Sequence, residues 1–267
     1  MVNIIDQLNR KVQLQAPAQR IVSIVPSQTE LLFHLGLNEE VIGITRFCIH
    51  PKEWHSTKKR IGGTKTVNID AVKALQPDLI IANKEENTKS QIEELEKIAP
   101  VWISDINRLE QSLDMIEQIG ILTGKESEAK AIAQQISERF NSFTPSSVQF
   151  RVCYLIWRNP YMTIGGDTFI SNLLSKCGFV NVFANHNRYP EINIEKMIAA
   201  RPGIVFLSSE PYPFKEKHIE EIKRYMPEVQ VMLVDGEMFS WYGSRLLNAP
   251  TYFEELIREI NCISEMK

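Results

Sequence analysis

Apolar runs alternate with amphipathic stretches along this chain, and one such alternation occurs twice. Residues 68–81 begin Asn-Ile-Asp, continue as a short amphipathic segment, and reach a proline followed by an apolar run; residues 193–206 begin Asn-Ile-Glu and follow the same course. Asparagine is a good helix N-cap, an acid in the first turn suits the helix dipole, and proline ends the helix before the strand. A repeat of this kind indicates a duplicated structural unit.

The correspondence extends to the flanking segments at a nearly constant separation. Apolar runs that start at Arg20 and Arg151 predict the first strand of each half, and runs at 101–105 and 231–235 predict a later one. A loop and an amphipathic helix ending in glycine follow each first strand, over Thr29–Gly36 and Thr168–Gly178. Because strands alternate with helices, each half is predicted to hold a parallel sheet built from βαβ units.

A helical region separates the two halves. Apolar residues at three- to four-residue spacing predict one helix from Leu109 to Leu122 and a second over about 125–143, roughly 28 Å long at 1.5 Å per residue. We therefore predict an α/β fold with two similar parallel-sheet lobes joined by a long backbone helix. The predicted boundaries are 1–106 for the N-terminal lobe, 107–147 for the bridging region and 148–267 for the C-terminal lobe.

The composition excludes several classes of protein. The 267 residues are 43% hydrophobic and 24% charged, with a net charge of −3, so nothing in the charge points to nucleic acid. No apolar run approaches the ~18 residues of a transmembrane helix. The N-terminal segment shows neither a long apolar stretch nor a small-residue cleavage site, as a signal peptide would. Two alternatives stay open: the protein is cytoplasmic, or the numbering starts after a leader that has been removed.

The four cysteines are dispersed and form no CxxC motif, so we expect no structural zinc site. Two alternatives stay open. All four could be buried thiols, or Cys177 and Cys262 could form a disulfide that ties a helix of the second half to the C-terminal helix in an oxidising compartment.

Several segments together resemble the cobalamin- and iron-complex-binding proteins of bacterial ABC importers, a class with a helical backbone between two lobes. The segments that carry the resemblance are RIVSIVPSQTE from Arg20, GITRFCIHP from Gly43, NID from Asn68 through PDLIIA to Ala82, and GGDTF from Gly165. The resemblance spans about residues 15–262 and is strongest to the vitamin B12-binding members, although some of these place tryptophans where this chain has Asn83 and Met238.

The resemblance implies that one acid on each lobe docks onto arginines of the membrane permease, and Asp70 and Glu195 occupy those positions. The repeat identifies the same two residues independently, and matched charges on two similar lobes suit a two-fold permease dimer. The alternative is that both acids only complement the dipole of a first helical turn.

Ligands of such α/β proteins bind in the crevice beyond the carboxyl ends of the strands. The loops expected there are rich in aromatic residues, which suits a large, flat, amphipathic ligand, although ordinary packing is the alternative for each of them. The predicted ligand-binding residues are Ser27, Gln28, Phe47, His50, Lys65, Glu85, Trp157, Arg158, Tyr161, Glu210, Tyr212, Phe239, Trp241 and Tyr242. We expect no protein metal ligand and no resident cofactor, because the metal of such ligands comes in its own chelator.

The sequence and the resemblance together predict a binding protein that captures a corrinoid, with a ferric siderophore or haem as the alternative ligand, and delivers it to an ABC permease dimer. A chelatase-like or Rossmann-like enzyme is a further alternative, but the chain has no GxGxxG after a strand, no GxxxxGK[ST], no HExxH and no GxSxG. We expect a monomer, periplasmic or lipid-anchored at the cell surface according to the resemblance.

Overall fold

The computed structural model describes residues 1–265, which divide into two compact units. The first unit contains residues 1–106, 110–139 and 242–247; the second contains 107–109, 140–241 and the chain from Asn248 on. Most of the predicted bridging region, residues 110–139, thus belongs to the first unit.

Short strands and helices alternate along the chain. The strands are β1 (Val2–Ile5), β2 (Lys11–Leu14), β3 (Ile21–Ser23), β4 (Val41–Ile44), β5 (Lys59–Arg60), β6 (Gly62–Gly63), β7 (Thr66–Val67), β8 (Leu79–Asn83), β9 (Val101–Ser104), β10 (Arg151–Leu155), β11 (Tyr161–Met162), β12 (Val180–Asn181), β13 (Glu191–Ile192), β14 (Ile204–Ser208) and β15 (Gln230–Val234). The helices are α1 (Pro26–His34), α2 (Lys52–Thr57), α3 (Ile69–Leu75), α4 (Lys89–Leu95), α5 (Leu109–Thr123), α6 (Glu126–Ser142), α7 (Phe169–Lys176), α8 (Ile194–Ala199), α9 (Glu216–Tyr225), α10 (Gly236–Ser240) and α11 (Ala249–Glu265), with a 3₁₀ helix at Ser244–Leu247.

The two units contain parallel sheets with the same strand order. The first sheet runs β5-β4-β3-β8-β9 and the second β12-β10-β14-β15, so that β4, β3, β8 and β9 correspond to β12, β10, β14 and β15. The central strands read as continuous apolar runs and are fully buried, as expected for strands covered on both faces. The predicted duplicated α/β fold is confirmed.

The repeated connection is built by the same contacts in both units. Asn68 and Asn193 cap α3 and α8, since each side chain accepts a hydrogen bond from the backbone N–H three residues on, at 2.9 and 3.0 Å. At the other end, Arg20 donates to the carbonyls of Leu75 and Gln76. Arg151 likewise donates to the carbonyls of residues 200 and 201, at 2.7 and 3.1 Å. Helix C-termini have carbonyls without intrahelical partners, and a cation there also suits the dipole.

Helix α1 begins at Pro26, three residues before the predicted start at Thr29. Proline fits the first helical position because its missing N–H has no partner there in any helix. Ser27 and Gln28, predicted to lie in a loop, therefore lie in the first turn of this helix. The predicted break between the two later helices is confirmed: α5 ends at Thr123, and Gly124 has a φ of +69° that favours glycine.

Residues 242–247 join the first unit through a buried ion pair. The guanidinium of Arg245 donates to both carboxylate oxygens of Glu30 on α1, at 2.9 and 2.6 Å, and both side chains are about one-eighth exposed. Beside it, Nδ1 of His34 lies 2.8 Å from the hydroxyl of Ser244. These contacts attach a short segment from the end of the chain to the first helix.

Cys177 and Cys262 are both free thiols in this structure, Cys177 buried and Cys262 exposed, so neither the candidate disulfide nor the alternative of four buried thiols holds. Burial raises the pKa of the Cys177 thiol.

Candidate functional site

In each unit, the loops that follow the parallel strands carry most of the predicted site residues. In the first unit these are the start of α1 after β3, the segment after β4, and the segment after β8. In the second unit they follow β10, β14 and β15. Because the carboxyl ends of parallel strands meet at one edge of a sheet, each unit gathers its own set of side chains there.

A buried polar network supports the start of α1 in the first unit. Gln28 is fully buried, and its amide donates to the hydroxyl of Ser104 at the end of β9. The same hydroxyl accepts a hydrogen bond from Asn83 Nδ2 at 2.9 Å, while Asn83 Oδ1 accepts from the backbone N–H groups of Glu85 and Glu86. Gln28 is thus predominantly a structural residue. Glu85, whose backbone is bonded to this network, is half-buried.

The loop after β4 is anchored by Cys48. Its buried sulfur lies 3.1 Å from the hydroxyl of Thr29 and 3.2 Å from that of Thr45. Burial raises the pKa of the Cys48 thiol, with a smaller contribution from the carboxylate of Glu86. Burial also raises the pKa of Glu86, and the nearby cation of Lys65 partly offsets this rise.

Phe47 presents an exposed ring in the same loop. The side chain is 48% exposed, and the guanidinium of Arg46 lies 4.9 Å from the ring centroid, within cation–π distance. His50 is half-buried further along this loop, and Lys65 is exposed in the turn of the β6–β7 hairpin. The first unit therefore offers an aromatic surface beside cationic groups.

Trp157 presents an exposed aromatic ring in the second unit. It follows β10, is 40% exposed, and packs edge-to-face on Tyr212, with the ring centroids 5.7 Å apart. Tyr212 packs in turn on Phe214 and on His218 of α9. A large exposed aromatic ring supported by further rings is suited to contact with a flat apolar ligand.

Arg158 and Tyr161 are held by a carboxylate that the sequence did not identify. Arg158 donates to both oxygens of Glu221 on α9, at 2.9 to 3.1 Å, and the Tyr161 hydroxyl donates to the same carboxylate. Burial alone would raise the pKa of Glu221, but hydrogen bonds from Arg158 and Tyr161 outweigh it and keep the pKa below its usual value. The structure thus places both predicted residues in an internal ion pair that fixes the loop next to Trp157.

Glu210 anchors Trp241 in the second unit. One carboxylate oxygen of Glu210 accepts hydrogen bonds from the indole N–H of Trp241, at 2.9 Å, and from the hydroxyl of Ser240. Trp241 is only 6% exposed. A hollow of about 460 Å³ lies in the same unit at the ends of β14 and β15; its lining residues are Ser209, Phe214, Leu233, Val234, Asp235 and Glu237.

Phe239 and Tyr242, both predicted ligand residues, are also packed inside the protein. Phe239 is fully buried and contacts the rings of Tyr154, Phe206 and Phe253, so the structure places it in the core of the second unit instead. The reason is that residues 236–240 form α10, capped by Asp235, and not a loop. Tyr242 is 8% exposed in the first unit.

Asp70 and Glu195 are exposed and lie in the first turns of α3 and α8. Their helices are short and are capped by the asparagines already described, so each carboxylate faces solvent at the start of a helix.

Within residues 1–265, no three histidine, cysteine, aspartate or glutamate side chains lie close enough together to hold a metal ion. In the same part of the chain, no helix combines the length and the apolar character needed to cross a membrane. The two duplicated α/β units, with aromatic and polar side chains in the loops after their parallel strands, are typical of solute-binding proteins.

The chain belongs to the periplasmic binding protein family, whose model matches residues 21–232. A curated relative, the vitamin B12-binding protein of Vibrio parahaemolyticus, is 28% identical over 197 residues, which cover 72% of this chain and 71% of the relative. The family and these relatives are solute-binding proteins, and the chain is accordingly a binding protein and not an enzyme.

Solved structures show the same fold. The periplasmic vitamin B12-binding protein of Vibrio cholerae has a TM-score of 0.75 and 24% identity, covering 91% of this chain and 98% of its own. The periplasmic haem-binding protein of Vibrio cholerae has a TM-score of 0.76 and 18% identity, covering 90% and 98%. The chain thus has the fold of these periplasmic binding proteins.

Sequence analysis missed the two residues of α9 that support the second-unit site. His218 and Glu221 are one helical turn apart and both contact the aromatic or cationic side chains that follow β10 and β14. Arg158 and Glu221 are 63 residues apart in sequence, so no local pattern predicts that they pair. The three-residue spacing of His218 and Glu221 on an amphipathic helix was the available signal.

Proposed function

We propose that this protein is the substrate-binding component of an ABC importer that captures a corrinoid at the loops following its strands and delivers it to a membrane permease dimer. The observation that carries the proposal is the exposed Trp157 ring, packed against Tyr212 and flanked by a fixed ion pair. A large flat ligand would cover this ring. The curated relative named as a vitamin B12-binding protein supports the choice of a corrinoid.

A haem or ferric siderophore is the second candidate ligand. Arg46 over Phe47, together with the exposed Lys65, gives the first unit cations next to an aromatic ring, which suits the carboxylates of an anionic chelate. In either case the metal comes inside its chelator and the protein needs no cofactor of its own. We further propose that the protein acts as a monomer, in the periplasm or anchored by lipid at the cell surface.

The proposal is tested by titrating the purified protein with cobalamin, cobinamide, haem and a ferric siderophore while tryptophan fluorescence is recorded. We expect saturable binding of the corrinoids. Trp157→Ala should weaken this binding by about 1–3 kcal/mol, because a desolvated aromatic contact is lost. Trp102→Phe, which alters a fully buried ring of β9, serves as the matched control and should bind as the wild type does.

Each outcome separates the candidates. Tighter binding of haem or the siderophore than of either corrinoid would favour the second candidate. If none of the four compounds binds saturably, the proposed function is wrong. If a corrinoid binds but Trp157→Ala retains full affinity, the ligand lies elsewhere on the protein.

A further inference from the structure

The protonation state of His218 is fixed by its surroundings. The ring is buried on α9, 3% exposed, and its Nδ1 accepts a hydrogen bond from the backbone N–H of Lys215 at 2.8 Å. A ring nitrogen that accepts this bond carries no proton, so in the neutral ring the proton is on Nε2. Burial lowers the pKa of His218, and the cations of Lys217 and Arg158 lower it further against the opposing charge of Glu221. The imidazole is therefore neutral, with a defined tautomer.

This tautomer determines the direction of the next hydrogen bond. Nε2 of His218 lies 3.3 Å from the hydroxyl oxygen of Tyr212 and, because it carries the proton, must be the donor. The Tyr212 oxygen accepts, and its own proton cannot be given to His218. The Tyr161 hydroxyl is different, since its proton is donated to Glu221.

The Tyr212 ring lies next to the ring proposed to contact the ligand. Tyr212 is half-buried and packs against the exposed Trp157. Its loop is fixed by backbone hydrogen bonds from Tyr212 N to the Ile156 carbonyl, at 3.3 Å, and from Phe214 N to the Tyr212 carbonyl, at 2.9 Å. A fixed tyrosine on a fixed loop is a preorganised donor.

We propose that Tyr212 is a dedicated hydrogen-bond donor to an amide or carboxylate oxygen at the rim of the ligand, and that His218 is its positioning residue. The inference rests on the proposed function and adds a specificity-determining residue to it. It also predicts a preference: ligands with an acceptor oxygen beside the face that covers Trp157 bind more tightly than ligands without one.

The test compares four variants in the cobalamin titration, with cobinamide, haem and the ferric siderophore in parallel. Tyr212→Phe retains the ring and its contact with Trp157 but loses the donor, and we expect a loss of affinity of about 3- to 10-fold for the tightest ligand. His218→Asn can still accept from Lys215 but does not reach Tyr212, so a smaller loss in the same direction is expected. His218→Gln can still donate towards Tyr212 and should restore affinity relative to His218→Asn. Tyr225→Phe, at an exposed position at the end of α9, is the matched control and should bind as the wild type does.

A readout without ligand tests the tautomer directly. The ¹⁵N chemical shifts of histidine-labelled protein should show His218 as neutral with its proton on Nε2, and thermal unfolding establishes that each variant is folded. A proton on Nδ1 would overturn the inference whatever the ligand. Unchanged affinity of Tyr212→Phe for a ligand that the wild type binds would overturn the inference and leave the proposed function intact, whereas a wild type that binds none of the ligands overturns both.

Discussion

Glu221 shows how one side chain can change the role of its neighbours. Arg158 and Tyr161 follow a strand that leads to the predicted site, and by sequence both qualify as ligand contacts. In the structure they donate to the same carboxylate, which also helps to keep the pKa of that carboxylate low. Their contribution to binding is therefore indirect: they hold the loop of Trp157 in one conformation, so that less conformational entropy is lost when a ligand binds.

Phe239 and Trp157 are both aromatic residues of predicted loops, yet substitutions at the two positions should lower stability by very different amounts. Phe239→Ala removes a fully buried ring from a cluster with Tyr154, Phe206 and Phe253, and should lower the free energy of unfolding by about 3–5 kcal/mol. Trp157→Ala should lower the free energy of unfolding by less than about 1 kcal/mol, because the side chain is already 40% exposed in the folded protein. Urea denaturation measures both, and equal losses would contradict these assignments.

His218 should make stability depend on pH. Its pKa in the folded protein lies below the value of about 6.5 in an unfolded chain, so the unfolded state binds more protons between the two values. The free energy of unfolding should therefore decrease as the pH falls below about 6.5, and level off for this group once the pH is below its folded-state pKa.

The measurement is urea denaturation from pH 5 to pH 8 for the wild type and His218→Gln. The variant lacks the titrating group, so the difference in stability between the two proteins should shrink as the pH falls. A difference that stays constant over the whole range would show that His218 does not titrate in this way.

At the scale of elements, the repeated connection was predictable because its signals are local. An asparagine cap, an acid in the first turn and a proline before an apolar strand occur within fourteen residues in both halves, and α3–β8 and α8–β14 follow them. The boundaries of α1 and α10 were not predicted: Pro26 was assigned to a loop and Asp235 to the end of a strand, although both residue types suit helix starts. The contact between Arg158 and Glu221 depends on how elements far apart in sequence pack together, and a local sequence pattern cannot predict such packing.

At the scale of the whole molecule, the duplication places one exposed acid at the start of a helix in each unit. Asp70 and Glu195 are equivalent by sequence, by cap and by position after an antiparallel ribbon strand, β7 or β13. We propose that this pair docks onto basic residues of the permease dimer, one acid for each subunit.

The double substitution Asp70→Arg with Glu195→Arg should leave ligand affinity unchanged and abolish delivery to the importer, because two attractive contacts become repulsive. Ligand affinity is measured by fluorescence titration and delivery by uptake into cells or vesicles that carry the importer. Glu93→Arg with Glu216→Arg, a pair of exposed acids on other helices, is the control and should support uptake. Loss of ligand binding by the docking variant, or normal uptake with it, would contradict the assignment.

Residues 242–247 belong to the first unit although they lie near the end of the sequence, and this limits how the protein can be cut into fragments. No contiguous stretch of the chain encodes either unit, because the first needs a six-residue contribution from near the far terminus and the second resumes after it. A fragment that stops at residue 139 would leave the Glu30 carboxylate in its covered position without the guanidinium of Arg245. A buried charge without its partner is destabilising. Chimaeras made from related genes should therefore be stable only if they keep Glu30 and Arg245 together, and exchanging one half of the gene should separate this pair.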